Sequence, residues 1–436
     1  MALLPGDWAL ARSGGCVVVG ARAAALAPLE RLAAAVVLDA HDEAYHEQRA
    51  PTWCAWELVA ERARRDEAPC ALVSPCPTLE LLEVGRLVTP SRRAEREGWP
   101  TLEIVNRRGD DPRTGLFSER VVSLVRWAAQ NPGRRVLCVL NRTGRVRLLA
   151  CASCHELARC EHCNGPLELL EDLDSRLLRC RRCGVERPVV CARCGAGRMR
   201  ALRVGVSRVR EELEALAGVR VGEVSGPVGR PPSRPRPTED SGAPTRTDAP
   251  TAKSGSVDAD AAVVVGTEAV LHRVQVADAV IFLDFDTELL APRMRAAEEA
   301  MALLARAARL VSVSTCTPTA PDRAPGRLLV QTRLPGHEVL SAATSADPGR
   351  ICAAEREVRR ALGLPPFSAL ALVSGPGADA YGKALHEAAP VGVEVSGPVE
   401  GRWSVRATAH AQLCTLLDSV SRPPGRLRVE VDPVRV

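Results

Sequence analysis

Four Cys-x-x-Cys pairs lie within one stretch of the 436-residue chain. The pairs are Cys151/Cys154, Cys160/Cys163, Cys180/Cys183 and Cys191/Cys194. Two thiolates separated by two residues can hold one metal ion from a single tight turn, and four thiolates complete a tetrahedral zinc site. The eight cysteines therefore predict two structural Zn²⁺ ions, each closed by four protein ligands and without an open position for catalysis.

The spacing of the pairs favours a nested arrangement. Sixteen residues separate Cys163 from Cys180, a spacing at which a β-hairpin can connect two knuckles. In this arrangement zinc 1 is held by Cys151, Cys154, Cys191 and Cys194, and zinc 2 by Cys160, Cys163, Cys180 and Cys183. The alternative joins the first pair to the second across only five residues, which is cramped but stays open.

Residues next to the pairs support genuine zinc knuckles. Gly184 and Gly195 each follow the second cysteine of a pair, where a knuckle often needs the left-handed backbone that glycine adopts without strain. His155 and His162 are nearby nitrogen donors. Because eight cysteines already complete two sites, we interpret both histidines as spectators.

The positive charge of the chain is concentrated around these cysteines. The whole chain carries +5, but residues 141–210 contain 15 arginines and seven acidic residues, a local charge of +8. Two zinc sites of four thiolates would reduce that value to about +4. A basic module in a near-neutral chain favours contact with nucleic-acid phosphates, although the arginines could simply offset the thiolates. The candidate phosphate contacts are Arg142, Arg181, Arg182, Arg193 and Arg198.

The sequence predicts a cytoplasmic protein without membrane contact. Residues 1–11 have no basic start typical of a targeting signal, and no apolar run is long enough to cross a bilayer. In a reducing compartment, paired cysteines favour metal binding over disulfides. We interpret the other eight cysteines as small buried apolar residues: Cys16, Cys54, Cys70, Cys76, Cys138, Cys316, Cys352 and Cys414.

Hydrophobic patterning predicts an α/β protein with a smaller α+β domain at its C-terminus. Short apolar runs typical of buried strands lie at residues 16–19, 34–38, 70–73, 135–140, 261–265, 279–283 and 328–331. Helical patterns cover residues 53–65, 119–130, 207–216, 292–310 and 348–362. From residue 370 onward the order strand, helix, strand, strand, helix, strand suggests a ferredoxin-like unit.

Motifs on both sides of the cysteines resemble the primosomal protein N′ (PriA) family of replication-restart helicases. The match is collinear over nearly the whole chain. It rests on Asn141-Arg142-Thr143-Gly144 before the cysteines, Val17 to Ala24 with Ala27-Pro28-Leu29, His41-Asp42 with Tyr45 and residues 49–56, Val265-Gly266-Thr267-Glu268, Arg295-Ala296-Ala297-Glu298, Leu362 to Ser368, Arg402-Trp403 and Val431-Asp432-Pro433.

The resemblance implies degenerate RecA-like helicase lobes with an inserted paired zinc module, and it implies the nested pairing. It also implies that the C-terminal domain binds branched DNA and that the zinc module contacts primosome proteins. The expected domains are a partial first lobe (1–140), the two-zinc module (141–205), the second lobe (206–224 and 261–335), a disordered Pro-rich linker (225–260) and the C-terminal domain (345–436).

The motifs that such helicases use to hydrolyse ATP are missing or altered. No G-x-x-x-x-G-K-[ST] loop occurs, and the strand that should carry it would lie upstream of Met1. By the resemblance, this chain is also expected to lack the family's N-terminal DNA-binding domain. The family's D-E-E-H box reads Leu38-Asp39-Ala40-His41, which retains one of three carboxylates. The motif with paired Gly-Arg steps reads as residues 306–310, without the glycines. We therefore expect no ATP binding or turnover.

The function expected from the sequence is that of a replication-restart protein without motor activity. It would bind branched or fork-like DNA together with primosome and replication proteins, at the nucleoid in the cytoplasm. The alternatives are a residual ATP-dependent 3′–5′ helicase of the same family, or a truncated paralogue without function.

Overall fold

The computed structural model describes residues 8–49, 52–111, 115–140, 148–171, 176–202, 206–224, 261–313 and 326–433. The chain divides into two compact units, one formed by residues 1–89 with 347–436 and the other by residues 90–346. The predicted linker at residues 225–260 lies outside the described residues, as does Arg142.

Strands and helices alternate through most of the described chain. The strands are β1 (Ala35–Leu38), β2 (His46–Glu47), β3 (Trp53–Cys54), β4 (Cys70–Val73), β5 (Thr101–Asn106), β6 (Val136–Val139), β7 (Leu149–Cys151), β8 (Leu167–Glu171), β9 (Arg176–Cys180), β10 (Glu186–Pro188), β11 (Met199–Ala201), β12 (Val221–Val224), β13 (Val263–Gly266), β14 (Ala279–Phe282), β15 (Arg327–Thr332), β16 (Ala369–Ser374), β17 (Val393–Val399), β18 (Arg402–Ala407) and β19 (Arg428–Val431). The α-helices are α1 (Trp8–Arg12), α2 (Ala55–Arg65), α3 (Leu79–Val84), α4 (Arg92–Glu97), α5 (Glu119–Gln130), α6 (Val206–Ala217), α7 (Ala269–Arg273), α8 (Asp286–Leu289), α9 (Ala296–Val313), α10 (Glu338–Thr344), α11 (Gly349–Ala361), α12 (Ala378–Ala388) and α13 (His410–Ser419).

A six-stranded parallel sheet forms the centre of the unit at residues 90–346. Its strands run in the order β12-β13-β6-β14-β15-β5. Every residue of β6, β13 and β14 is buried, as expected for strands that are covered on both faces. Helices α5 and α6 contribute apolar side chains to one core cluster with these strands, and α9 packs on β14 and β15.

The six-stranded sheet takes two of its strands from the segment that the sequence assigns to a first lobe. These strands are β5 and β6, and the predicted lobe ends at residue 140. The structure pairs β5 with β15 from Thr101↔Arg327 to Asn106↔Thr332, and it places β6 between β13 and β14. Pairing between strands so distant in sequence leaves no local signal, so the sequence could not place β5 and β6 in this sheet. The two compact units divide between residues 89 and 90.

In the other unit, β1 and β4 pair in parallel, and α2 packs on both strands. The strands predicted at residues 34–38 and 70–73 are thus confirmed. The strand predicted at residues 16–19 is wrong: the segment has no regular secondary structure, and Val17 and Val19 are 67% and 56% exposed. An apolar run becomes a strand only where a neighbouring strand can pair with it and other elements can cover it.

The C-terminal domain has the predicted order strand, helix, strand, strand, helix, strand. Its sheet is antiparallel with the order β17-β18-β16-β19, which confirms the ferredoxin-like arrangement. Helices α12 and α13 cover one face, and Tyr381 and Trp403 are buried between the helices and the sheet. Within the described ranges, no helix combines the length and apolar character needed to span a bilayer.

Candidate metal centre

Two small antiparallel sheets bring the four cysteine pairs together in the nested arrangement. Strand β7 pairs with β11 through Leu149↔Ala201 and Met199↔Cys151, so the first and last cysteine pairs meet. Strands β8, β9 and β10 form a separate three-stranded sheet in which Leu167 is opposite Cys180. This hairpin brings the two inner pairs together, and the outer pairs enclose it.

All four pairs have the same backbone hydrogen bonds. The N–H of the first cysteine donates to the carbonyl five residues later, and the N–H of the residue after the second cysteine donates back to the carbonyl of the first. In the order of the pairs these bonds are Cys151→Glu156 and His155→Cys151, Cys160→Gly165 and Asn164→Cys160, Cys180→Val185 and Gly184→Cys180, and Cys191→Ala196 and Gly195→Cys191, with N–O distances of 2.8 to 3.1 Å. Each pair is therefore a complete knuckle whose peptide groups are already satisfied.

The residue after the second cysteine is left-handed in every knuckle. Gly184 and Gly195 have φ of +73°, as the sequence predicts. His155 and Asn164 occupy the same place with φ of 59° and 55°, which a search for glycine alone does not find. In the sequence, the left-handed conformation of His155 and Asn164 is indicated by their positions directly after Cys154 and Cys163.

The sulfur atoms form two compact groups of four. The clusters are Cys151, Cys154, Cys191 and Cys194, and Cys160, Cys163, Cys180 and Cys183, with the four sulfurs of each within 4.8 Å of one another. The closest Sγ–Sγ distances are 3.4 to 3.6 Å. A disulfide would require about 2.05 Å, whereas a tetrahedron with Zn–S bonds of about 2.3 Å places sulfurs about 3.8 Å apart. Each cluster could therefore hold one zinc ion.

Backbone N–H groups surround the sulfurs and favour the thiolate form. Ser153 N–H lies 3.4 Å from Cys151 Sγ, and Arg182 N–H lies 3.3 Å from Cys180 Sγ. Burial alone would raise the pKa of the Cys151 thiol, but the N–H groups of Cys154 and Ser153, together with the Cys194 and Cys154 thiols, lower this pKa to about 6. The backbone N–H of Glu156 acts to lower the pKa of Cys154, but the neighbouring sulfurs raise this pKa to about 12. Thiolates are the form that binds zinc, so the knuckle backbone prepares the site for the metal.

The metal module packs against the segment that follows helix α8 through a small apolar cluster. Leu148 and Leu157 from the module are buried together with Leu290, which follows α8. His337 caps α10 by accepting a hydrogen bond from the Val339 N–H at Nδ1. Burial lowers the pKa of His337 to about 4, and the charges of Arg159 and Arg182 add to this effect. The histidine is thus neutral beside two arginines of the module.

The predicted phosphate contacts differ in their surroundings. Arg181 forms an ion pair with Glu168 at 3.2 Å, and Arg193 forms one with Glu156 at 2.8 Å. Arg182 and Arg198 are exposed, and the described residues include no ion-pair or hydrogen-bond partner for either side chain. DNA contact by these arginines stays a prediction.

The remaining cysteines and histidines of interest lie outside the metal clusters. Among the described residues, neither His155 nor His162 joins a group of metal-binding side chains. Cys54, Cys76, Cys138 and Cys352 are buried as predicted, and Cys16 is partly buried. The prediction of burial is wrong for Cys70 and Cys414, which are exposed; Cys316 lies outside the described residues.

The altered D-E-E-H box follows β1. Leu38 is 64% exposed and Ala40 is buried, and Asp39 between them has a left-handed φ of 53°. His41 Nδ1 lies 3.0 Å from Ser74 Oγ. His41-Asp42 continue into a short 3₁₀ helix that Asp42 caps by accepting a hydrogen bond from the Ala44 N–H. This segment is therefore the capped start of a short 3₁₀ helix.

The fold and the site together define an α/β protein with a RecA-like parallel sheet and a paired four-cysteine module. The chain is similar to replication restart proteins named PriA. It is 26% identical to that of Bacillus subtilis over 82% of this chain and 43% of the relative. It is 29% identical to a probable PriA of Mycobacterium leprae over 95% of this chain and 61% of the relative, and 27% identical to that of Treponema pallidum over 97% and 65%.

These similarities agree with what the motifs predict: the chain is similar to PriA replication restart proteins. No family model matches the chain. The chain spans about half the length of the curated relatives it matches, between 43% and 65% of the three proteins compared.

Proposed function

We propose that the chain acts in replication restart by binding branched or fork-like DNA and primosome proteins, without ATP-driven unwinding. The observation that carries this proposal is the intact pair of four-cysteine clusters within a chain similar to PriA proteins over 82% to 97% of its length. The DNA would be held by arginines of the module and by the C-terminal domain. Association with the nucleoid would follow from that binding.

The contrast between the metal knuckles and the altered D-E-E-H box supports a binding role rather than a motor role. All eight metal ligands are present and their knuckles share one hydrogen-bond pattern. At the box, Leu38 and Ala40 cannot hold Mg²⁺ or orient a water molecule, and Asp39 alone supplies one carboxylate.

The test is equilibrium binding of labelled fork DNA and DNA-stimulated ATP hydrolysis, measured on one zinc-loaded preparation. We expect fork binding that weakens steeply with salt, because each phosphate contact releases a counterion. We expect no ATP turnover. Absence of fork binding, or binding that is insensitive to salt, would remove the proposal.

Arginine variants locate the binding. Arg182→Ala with Arg198→Ala should weaken fork binding about tenfold or more and reduce the salt slope by about 2, since each duplex phosphate contact contributes about 0.9. The matched control is Arg126→Ala with Arg208→Ala on helices α5 and α6, which removes the same charge and should leave the slope unchanged.

The second candidate function is a residual ATP-dependent 3′–5′ helicase. Asp39, the acid retained in the box, is the feature that favours it. DNA-stimulated ATP turnover that Asp39→Ala abolishes would establish this function in place of the first. A preparation with two zinc ions, a cooperative unfolding transition and neither activity would instead identify a paralogue without function.

A further inference from the structure

A groove of about 380 Å³ lies on the zinc module and is unusually rich in arginine. Its walls include Cys160 from the second zinc site and Cys191 from the first. Four arginines line it from four separate segments, together with two glutamates. The charged lining residues are Arg108, Arg159, Arg187, Arg193, Glu156 and Glu161.

One glutamate is already engaged by two of the arginines. Glu156 lies 2.8 Å from Arg193 and 3.4 Å from Arg108. This three-residue network fixes one wall and connects the module to the loop after β5. Glu156 offsets only one of these two positive charges, and with Glu161 included the charged lining sums to +2. Arg159 and Arg187 are the two lining arginines that Glu156 does not engage.

Arg159 and Arg187 retain hydrogen-bond donors that the described residues do not satisfy. Arg187 donates from Nη1 to the Val190 carbonyl at 2.5 Å, but its Nε is buried without a partner. Arg159 has no side-chain ion pair or hydrogen bond recorded within the described ranges, and its charge acts on His337. A guanidinium offers five donors in a planar fork, and buried donors are rarely left unpaired.

The chemistry of the groove fits a phosphodiester backbone. Arginine forks match the paired oxygens of a phosphate. Among the described residues the lining contains no aromatic side chain, and its apolar part is limited to Leu157, Ala158, Ala192 and Met199. An acidic peptide with hydrophobic anchors would need a larger apolar surface. A cavity of about 380 Å³ has the size of a small-molecule site, so a strand can enter it, whereas a duplex could only lie across its rim.

We propose that this groove binds the phosphate backbone of single-stranded nucleic acid, with Arg159 and Arg187 as its principal contacts. This inference rests on the proposed DNA-binding function and identifies the site and the form of the nucleic acid. Because the arginines contact phosphate oxygens and not base edges, binding is independent of sequence.

The experiment measures fluorescence anisotropy of a labelled oligothymidylate single strand with the full zinc-loaded chain across a salt series. Arg159→Ala with Arg187→Ala should weaken binding about tenfold per arginine and reduce the salt slope by about 1.4, because each single-strand contact contributes about 0.7. Arg179→Ala with Arg200→Ala is the matched control, since it removes the same charge from strands of the same module that do not line the groove.

The outcomes separate this inference from the function on which it rests. If the chain binds neither fork nor single-stranded DNA, the proposed function fails. If it binds both but the groove and control variants behave alike, DNA binding stands and the groove assignment is overturned. Binding of labelled polyglutamate that depends on Arg159 and Arg187, with single-strand affinity unchanged, would assign the groove to an acidic peptide instead. Metal analysis showing two zinc ions per chain in each variant confirms that the module remains folded.

Discussion

The zinc module and the six-stranded sheet occupy the same compact unit but are held together by different forces. The core cluster of the module contains six buried residues, and two of them, Cys160 and Cys180, are metal ligands. The main cluster of the sheet contains sixteen buried residues, none of which belongs to a metal cluster in the described chain. A segment with so small an apolar core depends on its ligands for stability, whereas the sheet depends on packing.

The largest expected effect follows from removing two ligands of the inner zinc site in the module. Cys160→Ser with Cys163→Ser should lower the zinc content from two ions to about one, because two of the four ligands of the inner site are lost. Structural zinc contributes about 10–16 kcal/mol to small domains in which folding and metal binding are coupled. We therefore expect amide protection to collapse in β8 to β10 and to persist in β6 and β14.

The control for this variant is Cys70→Ser with Cys414→Ser, which replaces two exposed cysteines outside the module. Its zinc content should stay at two ions. Two ions bound by the Cys160/Cys163 variant would refute the assignment of the inner site.

The converse change removes packing from the sheet. Ile281 is completely buried in β14 within the main cluster, and Ile281→Ala should lower the free energy of unfolding by about 2–5 kcal/mol. Metal analysis should still give two zinc ions. Zinc loss in this variant would show that the module and the sheet are one cooperative structure, and the comparison would break.

The same contrast determines what could be predicted from the sequence. The metal sites follow from spacing: sixteen residues between Cys163 and Cys180 are enough to favour the nested pairing that the structure has. Helix α5 was predicted with its observed bounds because its apolar residues repeat at helical spacing. In the structure Ser118 caps this helix. Local pattern and local chemistry were sufficient in both cases.

Features assembled from distant segments could not be predicted in this way. Strand β5 is partly exposed and, among the described strands, pairs with β15 alone, so its place in the sheet depends on a strand far along the chain. The groove has the same origin. Arg108, Arg159 and Arg187 come from three segments that only the folded module brings together, and no motif connects them.

The titration of His337 tests its burial beside the arginines of the zinc module. In the folded chain the pKa of His337 is lowered to about 4 from an ordinary value of 6.5, so the unfolded chain binds this proton more tightly. Stability from the neutral histidine is therefore complete above pH 6.5 and is lost as the pH falls towards 4. The loss should reach about 3 kcal/mol at most.

His337→Asn isolates the contribution of His337 protonation to the free energy of unfolding, because asparagine can also cap α10 but does not titrate. The difference in unfolding free energy between wild type and variant should change between pH 6.5 and 4, with the wild type losing more. A constant difference over this range would contradict the assignment. Because both proteins carry the same zinc thiolates, acid release of metal affects both curves equally.

The smallest expected effect tests the knuckle backbone itself, and the inner site offers a matched pair. Gly184 and Asn164 both follow the second cysteine of a pair and both have positive φ, +73° and 55°. A Cβ at residue 184 would contact nothing within 4 Å, so Gly184→Ala changes only the cost of the left-handed backbone, about 1–2 kcal/mol. Zinc affinity of the inner site, measured by competition with a chelator, should fall at least about fivefold. Asn164→Gly keeps the conformation accessible and should change affinity less than about twofold. If the two variants lost affinity equally, the loss would not arise from backbone conformation, and the equivalence of the four knuckles would extend only to their hydrogen bonds.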